Sequence, residues 1–324
     1  MRRVVLSAPA KVNLSLAVGP PREDGRHPVE TTLLALDLLD RVTLALDDTA
    51  RGDGIRLAGS GPAWSEDVPR DGRNLAVRAA EVALDLAGRG RMRGRIGIEI
   101  EKRIPSRAGL GGGSSDAAAA AVGTALLAGL DPLGADRARL CGALAALGAD
   151  VPFFLAAADS GLGIGSGGGE RVRPLAMPAT SRALVLLTPA IGAPTGRVYA
   201  ALDALRAGDS PRGTWPGPAP PEDPSRCLTL SIERARARLA NDLEPAALAA
   251  IPGLARLRAA LDGAGAGHFR LAGSGASFFG LFEDEDAAHA FLADPRVSRM
   301  SRDYGLRLVR AVRPFGSGLR IEAH

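Results

Sequence analysis

The sequence predicts an α+β protein of two domains. Its 324 residues exceed what a single core usually organises, since domains run to about 100–200 residues. The first half reads as strands followed by helices, a segregated-layer pattern. The second half alternates strands and helices in a way that suits a ferredoxin-like α/β sandwich. A glycine-rich stretch at 161–169 lies between the halves and sets the expected domains at 1–165 and 166–324.

Apolar alternation marks strands at Val4–Ser7, Lys11–Val18, Val29–Leu38, Arg41–Leu46 and Arg95–Lys102. Helical spacing marks Asn74–Ala87, Ser114–Leu127 and Asp136–Leu147. A short helix is expected over Val151–Ala157, with Asp150 at its N-cap position. Past the junction come a strand at Ala183–Thr188 and helices at Gly196–Ala207, Ser231–Leu239 and Leu254–Gly263. Strands at His268–Ala272 and Ser277–Phe282, a helix at Asp284–Leu292 and a strand at Arg307–Val312 complete the order. Residues 208–227 are rich in Pro, Gly and Ser and lack an apolar period, so an exposed insertion is expected there.

Composition narrows the function classes. Hydrophobic residues make up 46% of the chain, which places it among folded globular proteins. No apolar run reaches the roughly 20 residues that span a bilayer, and the start is too short in apolar residues for a signal peptide. Two cysteines, Cys141 and Cys227, make neither a disulfide framework nor a metal cluster, and a reducing cytoplasm is expected. The net charge is +4, but the arginines are scattered among carboxylates and aromatics are few. That argues against a nucleic-acid surface and suits a small polyanionic ligand.

The segment Pro105–Ala118, PSRAGLGGGSSDAA, carries the chemistry. It leaves a strand and opens into a helix. Glycines there allow positive φ and close backbone approach, and the helix N-terminus adds free N–H donors, so the segment is built for an anion such as a nucleotide phosphate. Ser114 and Ser115 stand where hydroxyls can cap the helix or touch a phosphate or metal. No lysine follows the glycines as in a Walker loop, and Ser114 breaks the Gly-x-Gly-x-x-Gly spacing. Gly163, Gly165 and Gly168 fit that spacing but lead into a turn and a strand, not a helix.

Among forty Lys and Arg residues only Lys11 and Lys102 are lysines, and Asn13, Asn74 and Asn241 are the only asparagines. A lysine kept where arginine serves almost everywhere else points to a need for a compact ammonium. Lys11 and Asn13 are two apart in an extended run, which puts both side chains on one face.

The glycine loop resembles the central motif of the GHMP kinases. Four further stretches resemble one branch of that superfamily, which phosphorylates the 2-hydroxyl of 4-diphosphocytidyl-2-C-methyl-D-erythritol in non-mevalonate isoprenoid synthesis. They are Pro9–Leu14, Glu23–His27, Leu147–Phe153 and Leu271–Ser277, with Asn241–Pro245 beside them. The resemblance implies the two-domain GHMP fold with its site in the cleft between domains, ATP and Mg²⁺ as cofactors, and a small cytidine-diphosphate substrate. It assigns ATP to Pro105, Ser106, Arg107, Ala108, Gly109, Leu110, Gly111, Gly112, Gly113, Ser114 and Ser115, with Asn74 and Lys102 near the adenine. It makes Asp150 the base and Lys11 its support. It gives substrate contacts to Asn13, Arg26, His27, Thr195 and Tyr199. Arg26 departs from the pattern, because that branch carries a stacking Tyr there; a guanidinium can also stack on a base. The metal ligands stay open between Ser114 and Ser115. Two alternatives stand beside this reading: another GHMP kinase of homoserine or phosphomevalonate type, and a nucleotide sensor without turnover.

Overall fold

The computed structural model describes residues 2–50, 54–66, 68–88, 94–207 and 224–322. Most of the 208–227 insertion lies outside the described residues; its end, Pro224–Leu228, forms a 3-10 turn.

The chain opens on two long antiparallel strands, β1 (Arg2–Val18) and β2 (Val29–Asp47). Each joins two runs that apolar alternation reads as separate strands, because irregularities between Pro9 and Ala10 and between Asn13 and Ser15 shift the pairing without ending it. There follow β3 (Gly54–Ser60), α1 (Leu75–Ala87), β4 (Arg95–Glu101), α2 (Gly112–Leu127), α3 (Arg137–Leu144), α4 (Val151–Ala156), β5 (Leu162–Ser166) and β6 (Arg171–Pro174). The main path of the first sheet is ordered Arg320–Ile321, β1, β2, β4, β3, with β5 on β2 and β6 on β5. The glycine-rich stretch 161–169 is thus not a junction. It forms β5 and its turn into β6, and the first sheet continues to Pro174.

The second half holds β7 (Ala183–Pro189), α5 (Thr195–Arg206), α6 (Ile232–Ala237), β8 (Ala240–Asn241), α7 (Glu244–Ala250), α8 (Pro252–Gly263), β9 (Arg270–Leu271), β10 (Phe278–Phe282), α9 (Glu285–Leu292), α10 (Pro295–Asp303), β11 (Leu306–Val312) and β12 (Arg320–Ile321). Its four-stranded antiparallel sheet runs β11-β7-β10-β9, and Val185, Leu187 and Phe278 pack with Leu254 and Leu257 of α8. β8 and β12 return to β1, so the second half of the chain also completes the first sheet. A core joins the two sheets, with Val12, Leu14, Leu34 and Leu36 against Leu184, Leu186, Phe279 and Leu281. β1 is therefore covered on both faces, which is why its alternation is weak.

Helix α2 sets the site. Ala117–Val122 are fully buried, and a Cβ at Gly123 would stand 2.3 Å from Leu44. Small side chains let this helix lie close against the sheet, so its N-terminus is held firmly beneath the glycine loop.

Candidate active site

The glycine loop is wedged between the two sheets. Lys11 of β1 donates its backbone N–H to the Leu110 carbonyl at 2.8 Å, and Ser277 donates to the Ala108 carbonyl at 3.0 Å. Gly109 has φ 77°, and a Cβ there would sit 2.1 Å from the Ala272 carbonyl oxygen. No other residue fits this crossing. Gly111, at φ 71°, is the N-cap of α2, so the helix starts two residues earlier than the serines suggest. Ser114 and Ser115 therefore fall inside the first turn and do not cap it. The N–H groups of Gly112, Gly113 and Ser114 have no acceptor within the helix and remain for an anion.

This loop forms one wall of a cleft of about 580 Å³, lined by Lys11, Asn13, Arg107, Ser114, Asp150 and Tyr199 among others. Gly109 and Gly111 line it as well, whereas Pro105, Ala108, Leu110 and Ser115 are buried, as is Gly112 apart from what its N–H offers. Ser106 accepts a hydrogen bond on its carbonyl from Arg307, and Gly113 is exposed. Opposite stand Gly273, Ser274 and Gly275, with the Ser274 hydroxyl 2.9 Å from that of Thr195. Asn241 fixes this second turn by donating to the carbonyls of Leu271 at 2.8 Å and Gly273 at 2.7 Å.

On the floor, the Lys11 ammonium donates to Asn13 Oδ1 at 2.9 Å and lies 3.2 Å from Asp150 Oδ2. Asn13 Nδ2 donates to the Thr31 hydroxyl at 2.7 Å, and Thr31 donates to the Ser15 carbonyl at 2.8 Å. That relay holds Lys11 in place. Asp150 occupies the N-cap position of α4, yet its side chain makes no capping hydrogen bond. It turns to Lys11 and keeps 35% of its surface open. An ammonium beside a carboxylate can stabilise charge developing on a nearby oxygen.

Beyond Asp150 the cleft continues into a pocket of about 920 Å³; Ala149, Gly168 and Tyr199 line both. Arg26, His27 and Asp203 line the outer pocket. The His27 ring lies against the Tyr199 ring, centroids 5.0 Å apart, and its Nδ1 is 2.9 Å from the Gly19 carbonyl. Its Nε2 is 3.3 Å from Asp203 Oδ1. Burial, with the Asp150 charge adding, raises the Tyr199 hydroxyl above its ordinary pKa. Arg26 is exposed on its loop, where its N–H donates to Asp24.

Two residues expected at the adenine do not line the cleft. Asn74 caps α1: its Oδ1 accepts from the Ala76 N–H at 2.9 Å and its Nδ2 donates to the Pro69 carbonyl at 2.7 Å. Lys102 is sealed beneath the loop, donating to Asp40 at 2.5 Å and Asp116 at 2.7 Å. Burial pushes its ammonium pKa down, but the two carboxylates more than reverse that and hold it above the usual value. Burial pushes the Asp116 carboxyl up to about 7 against the pull of Lys102. Asp116 Oδ1 and the Ser115 hydroxyl are buried without a hydrogen-bond partner among the described residues. Thr31, Asp40, Asp116 and Asp203 were missed in the sequence. Asp203 alone left a usable signal, since it stands one helical turn after Tyr199.

Fold and cleft together define a small-molecule kinase of the GHMP class. Residues 74–158 match the GHMP kinases N terminal domain, and residues 228–294 match the GHMP kinases C terminal model. A 4-diphosphocytidyl-2-C-methyl-D-erythritol kinase of Rhodococcus jostii (strain RHA1) is 40% identical over 309 residues, 93% of this chain and 92% of the relative. One of Anaeromyxobacter sp. (strain Fw109-5) is 39% identical over 88% of this chain and 84% of its own. A crystal structure of 4-(cytidine 5'-diphospho)-2C-methyl-D-erythritol kinase superposes with a TM-score of 0.66 at 33% identity, covering 96% of this chain and all of that one. The chain belongs to the 4-diphosphocytidyl-2-C-methyl-D-erythritol kinase family. A homoserine kinase from Cytophaga hutchinsonii superposes with a TM-score of 0.68 at 18% identity, covering 99% of this chain and 98% of its own, and shares the fold. No helix among the described residues is long and apolar enough to cross a membrane.

Proposed function

We propose that this chain transfers the γ-phosphoryl group of ATP to the 2-hydroxyl of 4-diphosphocytidyl-2-C-methyl-D-erythritol. The observation that carries the mechanism is the Lys11–Asp150 contact of 3.2 Å, at the junction of the glycine-loop cleft and the His27–Tyr199 pocket. Kinase chemistry places the acceptor hydroxyl where phosphate site and substrate site meet.

Asp150 accepts the proton of the 2-hydroxyl as its oxygen bonds to the γ-phosphorus. The bond from that phosphorus to the β,γ-bridging oxygen breaks, and ADP leaves with the electron pair. Two of the three Lys11 N–H groups face Asn13 and Asp150; the third stabilises charge on the transferring group. The first-turn N–H groups of α2 hold the triphosphate. Among the described residues no cluster of three or more acidic, His or Cys side chains is placed to hold a metal. The cleft-lining Ser114 hydroxyl would be the protein contact of a Mg²⁺ brought in with the phosphates. When bound, it offsets phosphate charge. The outer pocket takes the cytidine, with Arg26, His27 and Tyr199 around the base and Thr195 nearer the diphosphate. Both cysteines are free, which accords with a cytoplasmic setting.

The test is ADP release from Mg-ATP with a panel of alcohols. The cytidine compound should be turned over far faster than homoserine or phosphomevalonate. Faster turnover of either of those would overturn the substrate while leaving a kinase.

A further inference from the structure

We infer that Asp203 of α5 reads the exocyclic amine of the substrate's base and so separates cytosine from uracil. The inference rests on the substrate reading above and deepens it.

His27 is fixed before any ligand arrives. Its side chain is 6% exposed, its ring lies on Tyr199, and Nδ1 is spent on the Gly19 carbonyl. Only Nε2 faces outward, and there it meets Asp203 Oδ1 at 3.3 Å. Asp203 shares a helix face with Tyr199, four residues before it, and lines the same pocket. Its side chain keeps 46% of its surface open, so the carboxylate has an oxygen to offer beyond the one on His27. The polar edge of the pocket is therefore His27 Nε2 beside a carboxylate.

The chemistry of the two pyrimidines decides what that edge accepts. Cytosine carries an N4 amine that donates; uracil carries the O4 oxygen, which only accepts. An ionised carboxylate accepts and cannot donate. A carboxylate taking a proton from cytosine N4 is a recurrent pairing. Uracil in the same pose sets O4 against a carboxylate oxygen with no proton between them, which rejects it by repulsion as well as by a lost hydrogen bond. An Asp203 that merely held His27 in place would not discriminate, because either base would meet the same ring.

The test compares kcat/KM for 4-diphosphocytidyl-2-C-methyl-D-erythritol and its uracil counterpart, using the full chain and its Asp203→Asn variant. Wild type should prefer the cytosine compound by about tenfold or more, the scale of one hydrogen bond to a charged group. An amide can accept from N4 or donate to O4, so the variant should lose the preference, through KM for the two compounds rather than kcat. A variant that retains the full preference overturns the role of Asp203 while leaving the substrate reading standing. A wild type that turns over neither compound overturns the substrate reading, and the inference falls with it. Calorimetric binding of cytidine 5′-diphosphate against uridine 5′-diphosphate, with the ATP site filled by a non-hydrolysable analogue, reads the same discrimination without turnover.

Discussion

The two lysines of this chain stand under neighbouring glycines and have opposite surroundings. A Cβ on Gly111 would meet the Lys11 side chain at 2.7 Å, and one on Gly112 would stand 3.1 Å from the Lys102 ammonium. Both lysines are 3% exposed. Lys11 faces one amide and one carboxylate, and that carboxylate keeps an open side toward the cleft. Lys102 faces two carboxylates that are themselves sealed, Asp40 on β2 and Asp116 at the start of the second turn of α2. Asp40 also accepts the backbone N–H groups of Arg103 and Ile104, tying the segment that leads into the loop. On the proposed mechanism one lysine serves the chemistry, while the other pins the platform. Burial of a cation does not identify a site. What does is a partner that a substrate can still reach.

The sharpest way to break this division is to remove each charge. Lys102→Met leaves two buried carboxylates without their cation and should destabilise the protein by about 3–5 kcal/mol, read as a lower urea midpoint. Replacing Asp40 and Asp116 by Asn in the same chain should restore much of that loss, because a complete buried ion cluster is worth far less than its fragments. A Lys102→Met protein of normal stability would make the cluster incidental. Asp150→Asn should do the reverse. It should cut kcat by about a hundredfold or more, the scale of a lost general base, while the urea midpoint and ATP binding stay near wild type. The missing cap bond is the reason to expect no stability loss. Normal turnover with lowered stability would return Asp150 to a capping role.

Much of the cleft was legible in the sequence because its parts are local. The strand, glycine loop and helix occupy consecutive residues, and Lys11 with Asn13 follow from strand period. The scarcity of lysine marked both buried ammoniums but could not tell them apart, since their partners at Asp40, Asp116 and Asp150 are set by pairing between distant segments. An asparagine before an apolar helical run is first of all a cap, and Asn74 caps α1. β3 was missed because its Gly54–Ser60 run is a half-exposed edge strand with weak alternation, and Gly59 is required there by Trp64, whose ring would lie 2.0 Å from a Cβ. The return of β8 and β12 to β1 is non-local, and no single-segment pattern reports it.

A milder change sharpens what a compact ammonium does at the open site. Lys11→Arg keeps the charge, but Gly111 and Gly273 close over the side chain, with a Cβ at Gly273 only 3.5 Å from the Lys11 Nζ. A planar guanidinium needs more room, so it should displace Asp150 and lower kcat by about tenfold or more, as small misplacements at a reacting centre do. The urea midpoint is the control, and turnover equal to wild type would remove the steric argument.

The mildest change separates the two clusters by pH. Asp116 titrates at about 7 in the folded protein, chiefly because burial opposes its charge, and at its ordinary 3.8 when unfolded. Between these values the folded state holds a proton that the unfolded chain has released. The stability this confers is full below 3.8 and is lost as pH rises through about 7. Asp116→Asn removes the titration and leaves Lys102 paired with Asp40 alone, a neutral buried pair. Urea midpoints of the two proteins should lie closest together near pH 4, draw apart as pH rises towards about 7 and run parallel above it, with the variant the more stable. The same proton sits beneath the phosphate loop. Its loss places a carboxylate under the N–H groups that hold the triphosphate, which opposes anion binding. KM for ATP should therefore climb above neutral pH in wild type and stay flat in Asp116→Asn, whereas Asp150→Asn should leave the ATP profile of wild type unchanged. Parallel ATP profiles in wild type and Asp116→Asn would show that the sealed cluster pins the loop without sensing protons.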